Sequence, residues 1–136
     1  WKRPKETEEA LDQGWLTVGD LAKRDDEGYL YIVDRKKDMV ISGGINIYPR
    51  EIEEVLFQHP DVIDAAVIGI PDEKWGEALK AFLVTKDNVG LNTDALRQFC
   101  EGKIAKIKIP RTVSLIDAIP RNAGGKVLKT ALRKID

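Results

Sequence analysis

Two apolar stretches separated by a short polar segment constrain the fold of this chain more than any other feature of its sequence. Residues 62–70 and 78–85 are rich in valine, isoleucine, leucine and alanine, and the segment 71–76 between them begins with proline and ends with glycine. Apolar runs of this length, bounded by residues that interrupt regular structure, are typical of buried strands. The second stretch alternates with the period of a strand, Leu79, Ala81 and Leu83 against Lys80, Phe82 and Val84. The two stretches are therefore predicted to pair with each other.

Three stretches with helical periodicity accompany these strands. The first is predicted to start at Pro49, because the missing N–H of proline is not needed at the first helical position, and to end near Gln58. The second is predicted to be capped by Asn92 or Thr93, and the third occupies the C-terminal tail. Their apolar stripes comprise Ile52, Val55 and Leu56; Ala95, Leu96, Phe99, Cys100 and Ile104; and Leu128, Leu132 and Ile135. Each stripe gives its helix one face that can pack on a sheet.

The order of these elements favours an α+β fold. Two short strands at residues 39–42 and 45–47, joined by a turn at Gly43 and Gly44, precede the first helix, and a third long strand at 113–116 precedes the last one. The sequence therefore predicts a small β-sheet of about three strands with helices packed on it.

The N-terminal part of the chain predicts a separate two-stranded β-hairpin. Residues 15–22 and 29–33 are β-rich and flank the charged, glycine-ended turn 25–28. Ahead of them, residues 1–14 are polar and predict a surface lead-in with one helical turn. Ordered structure is expected to start at Trp15.

A run of five charged residues, Asp-Arg-Lys-Lys-Asp at 34–38, follows the hairpin. It lies between two apolar segments, and none of its side chains can anchor a core. This run is the candidate domain boundary and hinge.

Composition and charge exclude several classes of partner. The 136 residues carry 22 basic and 23 acidic side chains, so the net charge of −1 provides no global field that favours nucleic acid or an anionic membrane. No apolar run approaches the roughly 20 residues that span a bilayer. Cys100 is the single cysteine, which excludes a disulfide framework or a thiolate metal cluster built from this chain. We expect a cytoplasmic protein and, because the chain opens at Trp1 without an initiator methionine, a piece of something larger.

The sequence Pro-Arg-Asn-Ala-Gly-Gly-Lys at residues 120–126 is the strongest candidate for chemistry. Two glycines before Lys126 allow a backbone that lies against a ligand, and the lysine supplies a compact positive charge on a long stem. The segment predicts a mobile, charged catalytic arm suited to a phosphate or a carboxylate. A surface turn with a solvated lysine is the alternative interpretation of this motif alone.

Two other features favour structural roles over chemistry. His59, the single histidine, follows the first helix and is interpreted as a helix-end residue rather than a base or a ligand. The spacing of Glu51, Glu53 and Glu54 scatters their side chains over different faces of that helix, so they are interpreted as a solvated first turn that matches the helix dipole. We therefore expect no metal site within this chain.

Four stretches taken together, at residues 14–20, 34–53, 71–77 and 120–126, resemble the C-terminal part of the adenylate-forming enzymes. That superfamily comprises acyl-CoA synthetases, firefly luciferase and the adenylation domains of peptide synthetases. The resemblance covers essentially the whole chain. It implies that residues 1–36 are the end of a large N-terminal adenylation domain and that residues 37–136 form a mobile C-terminal domain.

The resemblance also implies roles for individual residues. Lys126 would be the catalytic residue of adenylate formation, Asp20 would hold the ribose of ATP, Arg35 would contact the nucleotide, and Lys37 would be the hinge about which the domain rotates. Asp20 follows Trp-Leu-Thr-Val-Gly in this chain, whereas the family usually has Thr-Gly-Asp, so Val18 stands in the place of the threonine.

Three further residues are implied to lie near the thiol arm of coenzyme A: Gly43, Gly44 and Trp75. The family often has a basic residue near position 109, as a contact for the phosphates of the coenzyme. This chain has isoleucine there, with Lys108 and Arg111 nearby.

The function that the resemblance implies is that of the C-terminal catalytic lid of an ATP-dependent carboxylic acid:CoA ligase, a fatty-acid or related acyl-CoA synthetase. The cofactors are then ATP with Mg²⁺, whose ligands lie mainly in the N-terminal domain, and coenzyme A as co-substrate. The partners are that domain and a small carboxylic acid, and the fragment alone is expected to be nearly inactive. An adenylation domain of a peptide synthetase and a free-standing binding module of the same fold remain as alternatives.

Overall fold

The structure is a computed structural model that describes residues 2–135, with all of their side chains except the one at position 88. The chain divides into two compact units between Lys37 and Asp38. This division lies within the charged run at 34–38. How the two units correspond to the domains of a longer protein stays a prediction.

The first unit opens with a helix that is longer than the single helical turn predicted from the sequence. Helix α1 spans Pro4–Ala10. It is followed in the sequence by two short strands, β1 (Leu11–Asp12) and β2 (Trp15–Leu16), which pair antiparallel with each other. The prediction that order starts at Trp15 was therefore wrong. Proline at the first helical position and a glutamate in the first turn start this helix, although none of its residues is buried.

The predicted β-hairpin is confirmed, with shifted boundaries. Strand β3 spans Asp20–Arg24 and pairs antiparallel with β4, Leu30–Arg35. The predicted first strand at 15–22 is interrupted because Gly19 adopts a φ of +74° that a strand does not accommodate.

The second unit contains a five-stranded sheet. Its strands are β5 (Val40–Ser42), β6 (Ile45–Ile47), β7 (Val62–Asp72), β8 (Gly76–Thr85) and β9 (Thr112–Leu115). The order is β6-β5-β8-β7, and β9 also pairs with β8, in parallel. The predicted pairing of the two long strands is confirmed over their full length. The sheet exceeds the predicted three strands because Ser42 pairs with Gly76 and so joins the two short strands to it.

Helices pack on both faces of this sheet. Helix α2 spans Pro49–Leu56, α3 spans Thr93–Cys100 with Asn92 as its cap, and α4 spans Lys129–Leu132. One buried cluster joins α2 and α3 to the face of β8 that carries Leu79, Ala81 and Leu83. A second buried cluster lies on the opposite face and comprises Ala66, Ile68, Phe82, Ile119 and Leu132. Successive side chains of β8 therefore pack into two different hydrophobic cores, one on each face of the sheet, rather than into one core and solvent.

The last two helices are shorter than their apolar stripes predict. Helix α3 ends at Cys100, and Gly102 follows with a φ of +77°, so Ile104 lies outside it. In the C-terminal stripe Leu132 is fully buried, whereas Leu128 and Ile135 are each 38% exposed. Because Leu132 is the residue of this stripe that packs into the core, a single helical turn, Lys129–Leu132, is enough to bury it.

Candidate active site

The two predicted nucleotide-binding residues meet at one end of the hairpin. Asp20 and Arg35 are Cα partners in the register of β3 and β4, and Arg35 Nε lies 3.5 Å from Asp20 Oδ1. Both side chains are partly exposed, so each retains polar atoms for a ligand. A carboxylate next to a guanidinium can accept from the hydroxyls of a ribose while the guanidinium donates to phosphate or ribose oxygens.

An open cavity of about 550 Å³ lies beside this pair in the same unit. It is lined by Val18, Gly19, Arg35, Lys36 and Lys37. The backbone N–H of Lys36 donates to the Gly19 carbonyl (2.8 Å), which fastens the end of β4 to the residue before β3. Lys37, the predicted hinge, lies in a single 3-10 turn, Lys36–Asp38, at the last position of the first unit.

Two of the three residues predicted near the thiol arm are in direct contact. The N–H of Gly43 donates to the Trp75 carbonyl (2.9 Å), and a Cβ placed on Gly43 would lie 2.6 Å from Cε3 of the indole. Gly43 and Gly44 both have positive φ, +57° and +79°, but nothing lies within 4 Å of a Cβ placed on Gly44. Glycine is therefore required at 43 by close approach as well as by conformation.

Acidic residues that the sequence analysis did not single out hold this turn in place. Asp72 Oδ1 accepts from the Trp75 N–H (2.8 Å), and Glu77 Oε2 accepts from the Ile41 N–H (2.8 Å). A Cβ placed on Gly69 would lie 2.7 Å from Glu77 Oε1. The absence of a side chain at position 69 therefore makes room for the Glu77 carboxylate. An isolated glycine inside an apolar strand was the sequence signal for such a close approach.

A cavity of about 460 Å³ lies on the same unit as this turn. Its lining includes Ser42, which precedes Gly43, and three cationic side chains, Arg97, Lys106 and Arg111. The guanidinium of Arg111 lies 5.4 Å from the centre of the Trp75 ring. Of the two cations near position 109, Arg111 lines the cavity and pairs with Asp72 at 3.4 Å, whereas Lys108 pairs with Glu51 at 2.7 Å. The remaining lining residues are Ala78, Leu79, Glu101, Ile107 and Ile109.

The loop that carries Lys126 is closed by its own hydrogen bonds. Asn122 Oδ1 accepts from the N–H groups of Gly124 (3.0 Å) and Lys126 (2.9 Å), and the Asn122 N–H donates to the Lys126 carbonyl (2.9 Å). Gly125 has a φ of +80°, which the turn requires. The segment predicted to be a mobile arm is thus closed into a defined turn, and its mobility stays a prediction.

The Lys126 side chain is exposed, and no carboxylate lies within ion-pair distance of its ammonium among residues 2–135. Its neighbours differ: Arg121 pairs with Asp64 at 2.8 Å, and Lys129 pairs with Glu53 at 3.0 Å. A charge held on a defined loop and left without an internal partner can interact with an external anion.

One interpretation of the acidic helix start was wrong. Glu53 is not solvated: its side chain is 18% exposed, and Oε1 accepts from both the Val67 N–H (2.9 Å) and the Lys129 ammonium (3.0 Å). Glu54 is exposed and pairs with Arg50, as expected for a solvated position.

His59 has the predicted structural role. It follows α2, its Nδ1 accepts from the Asp61 N–H (3.2 Å), and its ring packs edge-on against Phe99 with centroids 4.7 Å apart. Across the described part of the chain, no group of three or more histidine, cysteine, aspartate or glutamate side chains could hold a metal ion. None of the helices in residues 2–135 is long and apolar enough to cross a membrane.

Residues 51–126 match the family described as the AMP-binding enzyme C-terminal domain. The chain belongs to this family, and the matched range includes Trp75 and Lys126. The match begins in α2 and therefore lies within the second compact unit.

Curated relatives extend the likeness over nearly the whole chain. The long-chain-fatty-acid–CoA ligase FadD13 of Mycobacterium tuberculosis is 50% identical over 98% of this chain and 26% of its own length. The 2-succinylbenzoate–CoA ligase of Bacillus mycoides is 46% identical over 99% of this chain and 28% of its own. The chain thus spans about a quarter of the length of the relatives that it matches.

A solved structure agrees with the fold. The o-succinylbenzoate CoA synthetase MenE of Bacillus subtilis, in complex with its acyl-adenylate intermediate, is 41% identical over 99% of this chain and 28% of its own, with a TM-score of 0.89. The fold of this chain is therefore that of the C-terminal quarter of a known acyl-adenylate-forming enzyme.

Proposed function

We propose that this chain is the C-terminal catalytic lid of an AMP-forming carboxylic acid:CoA ligase. In the first reaction a carboxylate oxygen of the acid attacks the α-phosphorus of ATP, the bond to the bridging oxygen breaks, and pyrophosphate leaves. In the second reaction the thiol of coenzyme A attacks the acyl carbon of the adenylate, AMP leaves, and the thiol proton is released. The acid is a fatty acid or a related organic acid, by analogy with the relatives named above.

The observation that carries this proposal is the Lys126 ammonium, exposed and without an internal ion-pair partner on a loop that is hydrogen-bonded into a single turn. Adenylate formation brings two anions together, and a positive charge between the carboxylate and the α-phosphate offsets their repulsion. Because the loop is already ordered, placing that charge requires little reorganisation at the moment of reaction.

Asp20 and Arg35 are proposed to bind the nucleotide. The Asp20 carboxylate would accept from the ribose hydroxyls, and the Arg35 guanidinium would donate to ribose or phosphate oxygens. Their direct contact across the ribbon supports this role, because a shared ligand requires both groups at one place.

Lys37 is proposed as the hinge between the two half-reactions. Residues 1–36 would belong to the N-terminal adenylation domain, which is also the main protein partner, and residues 37–136 would rotate as the C-terminal domain. The position of Lys37 at the end of the first compact unit supports this assignment. Rotation would withdraw Lys126 and present Gly43 and Gly44 to the reaction centre.

Gly43, Gly44 and Trp75 are proposed to line the path of the thiol arm. Contact between Gly43 and the indole supports a common surface, and the cationic cavity that includes Arg111 offers charge for the phosphates of coenzyme A. The reaction is proposed to take place in the cytoplasm. The Mg²⁺ that accompanies ATP is proposed to be held mainly by residues of the N-terminal domain.

Neither alternative function is favoured by a specific observation. The two curated relatives reported above are both named as CoA ligases, which argues against a peptide-synthetase adenylation domain and against a binding module without chemistry. The activity of the full-length protein nevertheless distinguishes them directly.

The test is acid-dependent pyrophosphate release from MgATP by the full-length native polypeptide, with short, medium, long and aromatic carboxylates and with amino acids. We expect release with one class of organic acid, followed by a thioester only when coenzyme A is present. Release with amino acids alone and without coenzyme A turnover would favour a peptide synthetase. No release with any acid would contradict the ligase assignment.

A further inference from the structure

Two carboxylates outside the candidate active site lie along the open edge of β7. This strand is at the edge of the sheet, with β8 as its neighbour, so alternate N–H groups of β7 point away from the ladder. Asp64 Oδ1 accepts from the Ala65 N–H (2.9 Å), and Glu53 Oε1 accepts from the Val67 N–H (2.9 Å). Side chains that cover edge amides in this way protect an exposed strand from unwanted pairing.

The same two carboxylates bind the loop of Lys126 on both sides of that lysine. Before it, Arg121 Nη2 lies 2.9 Å and 2.8 Å from the two carboxylate oxygens of Asp64. After it, Lys129 Nζ lies 3.0 Å from Glu53 Oε1. The two ion pairs join residues 57 and 76 positions apart.

The first of these pairs also reaches into the turn itself. While Arg121 Nη2 contacts Asp64, its Nη1 donates to the Gly125 carbonyl (2.9 Å), one residue before Lys126. The guanidinium therefore connects β7 directly to the backbone from which the lysine projects. A planar, multidentate cation can make both contacts at fixed geometry, whereas an ammonium cannot.

The second pair is the more buried one. The side chains of Lys129 and Glu53 are 12% and 18% exposed, so solvent screens their attraction less than it does at the surface. Glu53 belongs to α2, whose Ile52 and Leu56 are fully buried in the core. The loop is thus fastened to elements that do not move independently of the sheet.

We propose that Asp64 and Glu53 are positioning residues that set the place from which Lys126 acts. The proposal rests on the proposed function, in which the Lys126 ammonium stabilises charge during adenylate formation. The lysine stem is flexible, so the protein controls the ammonium chiefly by fixing the backbone at residue 126. Two ion pairs to one rigid edge, with the turn hydrogen-bonded between them, provide that control.

The expected effect is confined to one half-reaction. In the full-length protein, Asp64→Asn and Glu53→Gln should each lower kcat for pyrophosphate release by about 10- to 100-fold, the scale of loss from a misplacement of about 1 Å. The KM values for ATP and acid should stay within about twofold, because ground-state contacts are untouched. Thioester formation from supplied acyl-adenylate should be unchanged, since Lys126 has no role in that step.

The matched control is Glu54→Gln. It removes the same charge one position from Glu53 on the same helix, where the carboxylate is exposed and pairs with Arg50. We expect both half-reactions of this variant to equal those of the wild type.

A double variant separates positioning from simple loss of stability. If Asp64 acts through Lys126, Asp64→Asn should cause no further loss of adenylation in a Lys126→Ala background. A full additional loss in that background would overturn the proposal. So would an equal fall of both half-reactions in Asp64→Asn and Glu53→Gln, which is the signature of a lower folded fraction.

Hydrogen exchange provides a readout that does not depend on activity. The N–H groups of Gly125 and Lys126 should exchange at least about tenfold faster in Asp64→Asn and Glu53→Gln than in the wild type or Glu54→Gln, because the turn loses its anchor. Unchanged exchange would overturn the anchoring whatever the enzyme does. A different result would be faster amide exchange in the two variants together with no pyrophosphate release by the wild type. That result would overturn the proposed function and the catalytic role of Lys126, but it would still support the anchoring of the loop by Asp64 and Glu53.

Discussion

Asp20 and Arg35 lie directly opposite each other in the β3–β4 ribbon, with 3.5 Å between the Arg35 Nε and an Asp20 carboxylate oxygen. They are 15 positions apart in the sequence, and it is the register of the hairpin that places them side by side. Because both are partly exposed, their mutual attraction contributes little to stability, about 1 kcal/mol or less. Under the proposed function, both groups bind the same nucleotide.

Asp20→Asn should weaken ATP binding without unfolding the ribbon. A hydrogen bond to a charged group is worth about 1.5 to 3 kcal/mol, so we expect the KM for ATP in pyrophosphate release to rise by at least about tenfold. Saturating ATP should restore most of kcat. Lys23→Gln, also exposed on β3, is the control and should leave the KM for ATP unchanged. An unaltered KM in Asp20→Asn would contradict a ribose contact.

Gly43→Ala should be more damaging than Gly44→Ala. Both substitutions strain a backbone with positive φ by about 1 kcal/mol, but only at position 43 does the new Cβ collide with the indole of Trp75. Overpacking of this kind costs about 1 to 3 kcal/mol, which should appear as the difference between the two variants in denaturant unfolding. We also expect Gly43→Ala to slow thioester formation selectively. Equal unfolding free energies would show that the indole moves aside freely.

Lys126→Ala should separate the two half-reactions. Removing a charge that stabilises the transition state costs about 2.7 to 4 kcal/mol, so pyrophosphate release should fall by about 100- to 1000-fold. Thioester formation from supplied acyl-adenylate should persist, and so should stability, because Lys126 is exposed. Lys134→Ala removes another exposed lysine from the same tail as a control. Equal losses in both half-reactions would refute the assignment.

Cys100 should be inert toward thiol reagents in the folded protein. Its side chain is fully buried in the cluster between the sheet and its helices, and burial raises the pKa of the thiol, against a smaller lowering by Lys103. Alkylation by iodoacetamide at neutral pH should therefore be at least about tenfold slower than in denaturant, since it needs a local opening. The pKa of this thiol is higher in the folded state than in the unfolded state. The neutral thiol therefore contributes to folding stability at pH values below its pKa in the unfolded state, and this stability is lost as the pH rises through its pKa in the folded state. Comparable rates in both states would place Cys100 at the surface.

The hairpin turn should loosen in acid through Asp25. Desolvation opposes ionisation of this carboxyl, but hydrogen bonds from the Tyr31 hydroxyl and from the N–H groups of Tyr29 and Glu27 outweigh it, and the pKa of Asp25 is lowered. Because the pKa of Asp25 is lower in the folded state than in the unfolded state, the ionised carboxylate stabilises the fold at pH values above its pKa in the unfolded state. This stabilisation is lost as the pH falls through its pKa in the folded state. Exchange of the Tyr29 N–H should accelerate across that window in the wild type.

The control for this pH effect is the adjacent aspartate. Asp25→Asn should remove the acid dependence of Tyr29 exchange, whereas Asp26→Asn should retain it, because Asp26 accepts none of the hydrogen bonds that hold the turn. The same acid dependence in both variants would assign the effect to another group.

Local sequence patterns predicted most of the elements and the types of side chain at the candidate site. The paired long strands, the start of α2 at Pro49, the cap of α3 at Asn92 and the hairpin are all present. These features depend on neighbours within a few residues, such as a proline at the first helical position or a glycine at a turn. Only a single turn of helix α1 was predicted, because the helix has no buried face from which a periodic apolar stripe could arise.

The role of Glu53 shows what local patterns cannot provide. As one of three glutamates in a first turn it was interpreted as solvated, and nothing within its helix distinguishes it from Glu54. Its partners are the Val67 amide, which is available only because β7 is an edge strand, and Lys129, which lies 76 positions away. The pairing exists only once the sheet has its order and register.

The sequence by itself determined where most of the strands, helices and turns form and which charged side chain stands at each candidate position. Only the tertiary structure decided which charges meet: Arg35 with Asp20, Arg121 with Asp64, and Lys129 with Glu53, leaving Lys126 without a carboxylate partner among residues 2–135. The physical reason is that backbone propensity acts over a few residues, whereas an ion pair between distant residues depends on sheet register and on the packing that fixes it.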